Sequence, residues 1–204
     1  MMVTKLYIPS LKKEIDVKTE DLNAFEYTPI SQLLEVANLC NNAFVDETGA
    51  WNGQPTEVAI MELFKEKGFA DSRADHAKIT EIPFNPEQKW MAVEILKNAQ
   101  QTSIFYFKGA VEAVLNRCSA IYITDRPVVL MDQEKKDELL RIEQRISSSG
   151  LRVLAFGFGQ SLDDLNFVGF IGMYDPPRPA CSTTISECIR SKIHVAMITG
   201  DSGI

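Results

Sequence analysis

At 204 residues, with 45% hydrophobic and 24% charged side chains, the chain has ordinary globular composition and enough apolar residues for one core, or one core and a small partner. Intrinsic disorder and collagen-like repeats are excluded. Lys and Arg total 21 against 28 for Asp and Glu, a formal net charge of −7 that argues against general attraction to nucleic acid or an anionic membrane surface. Any bound anion must therefore meet a local cluster of positive groups.

Cys40, Cys118, Cys181 and Cys188 match neither a zinc pattern nor a dense disulfide framework, and they read as reduced thiols. The longest apolar stretches, around residues 151–158 and 167–174, are interrupted by glycine and fall short of the roughly 20 residues a membrane helix needs. The start, Met1-Met2-Val3-Thr4-Lys5-Leu6-Tyr7, lacks the long apolar core and small-residue cleavage site of a secretory signal. A soluble chain in a cytosolic setting is expected.

In chain order, residues 1–8 read as a strand. Residues 31–43 read as a helix with Leu33, Leu34, Ala37 and Cys40 on one face, and 41–54 as a loop rich in Asn and Gly. Pro55 suits a first helical turn, and Ile60, Met61, Leu63 and Phe64 continue a helix stopped by Gly68. Three strand-like runs follow at 78–84, 90–96 and 102–107, with gaps that suit antiparallel hairpins. Residues 109–120 read as a helix through Val111, Val114, Leu115 and Cys118. A longer helix spans 132–149, capped by Asp132, with Asp137 and Arg141 as an i,i+4 pair, Leu139, Ile142 and Ile146 inward, and Gly150 as the stop. Residues 151–158 and 166–174 return to strand composition.

Asp175-Pro176-Pro177-Arg178-Pro179 forms a stiff break, because three prolines fix φ and withhold N–H groups. A domain boundary is placed there, dividing 1–174 from 175–204. A helix at 180–191 and an apolar strand at 193–199 ending in Gly200-Asp201 make half of a βαβ pattern, too small to bury a core alone.

Common catalytic constellations are missing from the sequence. It has no G-x-x-x-x-G-K-[ST] loop, and Gly157-Phe158-Gly159 lacks the third glycine of a dinucleotide fingerprint. His76 lies in a polar loop and His194 in the apolar strand, neither with partner spacing for catalysis. What stands out is Glu81-Ile82-Pro83-Phe84-Asn85-Pro86-Glu87-Gln88-Lys89-Trp90-Met91, followed by Tyr106-Phe107-Lys108-Gly109-Ala110-Val111-Glu112. Lys108 ends an apolar strand before a glycine and a helix, so a cation can sit at a pocket floor while Gly109 lets a ligand approach the backbone. Phe84 could stack a flat base, and the lysines could meet phosphates. Taken singly, these residues also have plainer readings: Phe84 as a core aromatic, Lys108 as a solvated strand end, Arg152 as a surface pair, Glu57 as a first-turn carboxylate, and Asp175 and Asp201 as turn residues.

Together with Gln54-Pro55-Thr56-Glu57, Leu151-Arg152-Val153-Leu154-Ala155, Asp175-Pro176-Pro177-Arg178 and Met197-Ile198-Thr199-Gly200-Asp201, these segments resemble the cytoplasmic nucleotide-binding region of P-type cation-transporting ATPases, most of all the type II branch that includes calcium pumps. The resemblance runs across essentially the whole chain. Met2-Val3-Thr4 is similar to the segment just after the family's phosphorylated-aspartate motif. The resemblance implies an α+β domain, a six- or seven-stranded antiparallel sheet flanked by helices, followed by a short βαβ piece of a haloacid-dehalogenase-like phosphorylation domain. It implies that Phe84 stacks adenine, Glu57 contacts the adenine side, Lys89 and Lys108 line the pocket with Gly109 and Leu154, and Arg152 reaches the phosphates with its planar charged fork. Asp175 and Arg178 would form the hinge, and Thr199, Gly200 and Asp201 the phosphorylation-domain loop. The implied ligand is ATP, with Mg2+ in the full-length pump. The implied partners are the phosphorylation and actuator domains of the same pump, and the implied location is the cytoplasmic part of an integral membrane protein.

The sequence also departs from the family. The Asp-Lys-Thr-Gly-Thr segment carrying the phosphorylated aspartate is absent, as is the later Gly-Asp-Gly-Val-Asn-Asp stretch that supports magnesium. Val111 stands where the family usually has proline, and Ser202-Gly203-Ile204 does not follow the usual continuation. The expectation is a monomeric pump fragment that binds nucleotide weakly, with little magnesium dependence and no ATP turnover. A non-catalytic regulatory module of the same fold is the alternative. A small haloacid-dehalogenase phosphatase is disfavoured because no aspartate nucleophile lies near residues 1–7. Calcium is the first expectation for the transported ion, with sodium, potassium and proton open.

Overall fold

The computed structural model describes residues 1–22, 28–97, 102–124, 128–196 and 198. They belong to two compact units, Met1–Tyr174 and Asp175–Ile204. The first unit runs β1 (Met2–Ile8), β2 (Lys13–Asp16), α1 (Pro29–Leu39), β3 (Phe44–Val45), β4 (Trp51–Asn52), α2 (Pro55–Lys67), β5 (Ala77–Asn85), β6 (Trp90–Lys97), β7 (Thr102–Gly109), α3 (Val111–Leu115), β8 (Cys118–Ile121), β9 (Val129–Leu130), α4 (Gln133–Ser147), β10 (Leu151–Ser161) and β11 (Asp164–Tyr174). The second contains α5 (Cys181–Arg190).

Seven strands form one antiparallel path in the order β2-β1-β11-β10-β7-β6-β5, and β8 and β9 extend the sheet to nine strands, β8 lying parallel to β11. The period-2 alternation of side chains splits the core between the two faces. Along β6, Met91, Val93 and Ile95 join the buried cluster of α1 and α2, whereas Trp90 and Ala92 join that of α3 and α4. Tyr106 and Phe107 on β7, and Phe156 and Ala155 on β10, divide in the same way. A mixed fold with an antiparallel sheet between helices is therefore what the chain adopts.

Local signals set the helix ends. Thr28 and Ser31 cap α1 reciprocally, the Thr28 hydroxyl accepting from Ile30 N–H (3.3 Å) and the Ser31 hydroxyl from Thr28 N–H (3.0 Å). Pro55 opens α2 and Gly68, at φ 75°, closes it in the left-handed conformation glycine tolerates. Asp132 caps α4 by accepting from Lys135 N–H at 2.9 Å.

Several expectations need correction. The helix expected over 109–120 ends at Leu115; Gly109 belongs to β7, and Cys118–Ile121 is a strand. The helical spacing of Cys118 is overridden by pairing with β11, where Leu165 faces Cys118. Asp137 and Arg141 do not pair through their charges: Asp137 accepts from Gln133 Nε2 (2.8 Å), and Arg141 Nε turns to the Asp137 backbone carbonyl (3.1 Å). The 41–54 loop carries the small hairpin of β3 and β4. Residues 193–196 and 198 are not in a strand, and His194 is exposed; no neighbouring strand pairs with them among the described residues of the 175–204 unit. Met197, Thr199, Gly200 and Asp201 lie outside the described residues.

Candidate functional site

At one end of the α1/α2 face lies a cavity of about 830 Å3, lined by the start of α2, by β5 and its turn, and by β6, β7 and β10. Its volume falls within the roughly 300–1,000 Å3 typical of small-molecule pockets. Glu57, Phe84, Lys108, Gly109, Arg152 and Leu154 all line it. Lys108 lies opposite Met91 across β6–β7, and opposite Phe156 across β7–β10. The alternation along β10 then carries Arg152 and Leu154 to the face that holds Phe156.

The floor is an ion pair. Lys108 Nζ lies 2.6 Å from Glu57 Oε1, with each side chain only 7% exposed. Glu57 sits in the first turn of α2, and the same oxygen accepts the Asn42 N–H at 3.2 Å. An ammonium has three donors, so pairing with Glu57 leaves Lys108 with further hydrogen-bonding capacity at a cavity wall. The solvated strand-end reading of Lys108 is overturned, because the side chain is buried at a position whose cross-strand neighbours are Met91 and Phe156, and its head meets a carboxylate.

Phe84 is the opposite case. It is 58% exposed, unlike the core aromatic the plainer reading describes, because the pairing of β5 with β6 shifts between Ile82 and Asn85. The β5–β6 turn closes through Lys89 N–H donating to Asn85 C=O (2.6 Å), with Lys89 at φ 61°. Lys89 is exposed and its side chain is not among those lining the cavity. Its backbone carbonyl instead accepts from Ala110 N–H at 2.9 Å. That close approach explains Gly109: a Cβ there would lie 2.5 Å from the Lys89 carbonyl oxygen and 2.7 Å from Trp90 Cβ.

Arg152 is exposed at the cavity and forms no ion pair with the described residues. Burial is the largest influence on Glu81 and pushes its carboxyl up, but hydrogen bonds from Lys78 (2.8 Å) and Asn42 (2.5 Å), with the charges of Lys78 and Lys108, leave it below the usual range. Beneath the floor, burial pushes the Cys40 thiol up to about 12. The sequence reading did not assign Asn42 or Glu81 to the site. Glu81 opens the motif that holds Phe84, whereas Asn42 lies in a loop without any pattern.

Among the described residues no group of three or more His, Cys, Asp or Glu side chains is placed to hold a metal ion. No helix among the described residues is long and apolar enough to cross a membrane. In the second unit Asp175 and Arg178 are exposed, and the Arg178 carbonyl accepts from Cys181 N–H (2.9 Å) at the start of α5.

A family model described as "P-type ATPase, cytoplasmic domain N" matches residues 29–180. The chain is 34% identical over 191 residues to human calcium-transporting ATPase type 2C member 1, covering 93% of this chain and 21% of that protein. It is 36% identical over 184 residues to human type 2C member 2, covering 90% and 19%. It is 33% identical over 218 residues to calcium-transporting ATPase 1 of Saccharomyces cerevisiae, covering 98% and 23%. The chain thus spans about a fifth of the length of these relatives. A match over most of the chain, and a fold whose cavity gathers the residues of four separate motifs, lead to one conclusion: the chain belongs to the family of P-type ATPase cytoplasmic N domains.

Proposed function

We propose that the cavity binds ATP through its adenine end and presents it for phosphoryl transfer to an aspartate outside these 204 residues, within a pump that transports calcium. The observation that carries this reading is the meeting, in one cavity, of an exposed aromatic ring, Phe84, with a buried Lys108–Glu57 pair and an exposed guanidinium, Arg152. A flat base fits the first, polar atoms of base and ribose the second, and phosphates the third. Lys89, exposed on the β5–β6 turn, would meet the ligand from outside the cavity wall. The named relatives are calcium-transporting ATPases, which supports calcium as the cargo.

In this reading the 1–174 unit is the nucleotide-binding domain, and 175–204, opening with Asp175 and Arg178, is the hinge and the start of the phosphorylation domain, whose loop includes Thr199, Gly200 and Asp201. The phosphorylation and actuator domains of the same pump are its partners, on the cytoplasmic side of the membrane. These residues carry no phosphate-accepting Asp-Lys-Thr-Gly-Thr segment, so they bind nucleotide without turning it over. Stacking on one aromatic ring contributes about 1–3 kcal/mol. Phe84→Ala should therefore weaken ATP binding about tenfold or more by calorimetry, and unchanged affinity would remove the stacking role.

A further inference from the structure

Asn41, Asn42 and Ala43 follow α1 without regular structure, yet they are gripped from two sides. On the cavity side, the Asn42 N–H donates to Glu57 Oε1 (3.2 Å) and Asn42 Nδ2 to Glu81 Oε1 (2.5 Å). On the other side, a single Arg73 nitrogen donates to the carbonyls of both Asn41 (2.9 Å) and Ala43 (2.6 Å), the residues that flank Asn42. The rest of the Arg73 guanidinium is held by Asp71, at 2.9 and 2.7 Å, and lies 5.8 Å from the centre of the Trp51 ring. Arg73 lines a separate cavity of about 500 Å3 and not the one that holds Phe84 and Lys108, while Asn42 lines both.

We propose that Arg73 is a positioning residue for the nucleotide site: by clamping the carbonyls on either side of Asn42 it fixes the Asn42 N–H on the Glu57 carboxylate, and so fixes the carboxylate that orients the Lys108 ammonium. This inference rests on reading the cavity as a nucleotide site. Only a guanidinium can serve two carbonyls and a carboxylate at once from one rigid plane. With the clamp removed, the carbonyls of Asn41 and Ala43 lose their shared donor and, besides the Asn42 contacts, the segment is held from the Asn41 side chain alone, through Glu57 C=O (3.1 Å) and Ala43 N–H (2.8 Å). The Asn42 N–H then moves off Glu57 Oε1, and Lys108 is left with a carboxylate that has more than one position.

The test uses labelled protein carrying Arg73→Ala, with Arg73→Gln as a second variant that keeps a side-chain donor should the first fail to fold. Val114→Ala, a core change under α3 on the opposite face, serves as a control for stability loss alone. In the nucleotide-free protein the Asn42 amide proton should move upfield as its bond to Glu57 weakens. ATP affinity should fall about tenfold, the scale of one charge-assisted hydrogen bond, while Val114→Ala binds like the wild type. Wild-type affinity in the folded Arg73 variants overturns the inference, as does an equal loss in Val114→Ala. Absence of saturable binding to the wild-type protein instead overturns the nucleotide reading itself, and an Asn42 amide that stays in place then overturns the clamp as well.

Discussion

Neither Lys108 nor Glu57 can be removed alone without leaving a charge under the cavity floor. Their contact is 2.6 Å and each side chain is 7% exposed, so both are largely withdrawn from bulk water. Breaking a buried pair by deleting one partner costs about 3–5 kcal/mol, whereas replacing both with apolar groups of similar volume is often neutral. Glu57→Leu strands the ammonium, and because the cavity admits water the lower end, about 3 kcal/mol, is expected. Lys108→Met should cost less, about 2 kcal/mol, because Glu57 retains the Asn42 N–H as a donor. The double variant should lie within about 1 kcal/mol of wild type, giving a coupling of several kcal/mol, at or above the upper end for contacting residues.

Urea unfolding followed by tryptophan fluorescence reads this directly. Trp90 is buried, stacked on Phe107 at 4.7 Å between ring centroids and covered by Arg117, and it reports loss of the core on the α3/α4 face. With a urea slope of about 1–3 kcal/mol/M, Glu57→Leu should lower the midpoint by about 1 M or more. Strictly additive costs in the double variant, or a Glu57→Leu cost below about 1 kcal/mol, would show that the two side chains do not depend on each other.

Two further outcomes follow from packing. Gly109→Ala should destabilise by about 1–3 kcal/mol and disturb ATP binding, since its Cβ meets the backbone of Lys89 and Trp90 instead of a flexible side chain; urea midpoints within error of wild type would refute the close approach. With a thiol reagent near neutral pH, Cys181 and Cys188, both partly exposed, should react quickly. Cys40 and Cys118 should not, because both are buried and burial pushes each thiol up to about 12. Four thiols reacting at one rate in the native protein would contradict that core.

Much of the framework is legible locally. Pro55, Gly68 and Asp132 mark helix ends by their own conformational chemistry, and the near-continuous apolar runs at 90–96 and 151–158 read as strands by composition. What is not legible depends on distant partners. Cys118 continues a helical spacing and becomes a strand residue only because β11, more than 40 positions later, pairs beside it. The exposed position of Phe84 depends on a shift in strand pairing that its apolar identity does not reveal. Lys108 and its glycine announce a pocket floor, but the carboxylate that meets the ammonium comes from a helix 51 residues earlier. Asn42 and Arg73 carry no motif: Asn42 acts through its backbone N–H and its side-chain amide, and Arg73 through a grip on backbone carbonyls, none of which a local pattern announces.

The central claim is that the cavity between the start of α2 and strands β5, β6, β7 and β10 takes the adenine end of a nucleotide. An NMR titration of the labelled protein with ATP, ADP and AMP, each with and without magnesium, tests it most directly. Saturable shifts should cluster at the amides around Phe84, Lys108 and Gly109, extending to Lys89. Affinities for the three nucleotides should agree within about tenfold, because most of the binding free energy lies in stacking, and magnesium should change them little. Unmoved amides around Phe84 and Lys108 at millimolar nucleotide, or shifts that cluster elsewhere in the protein, would contradict it.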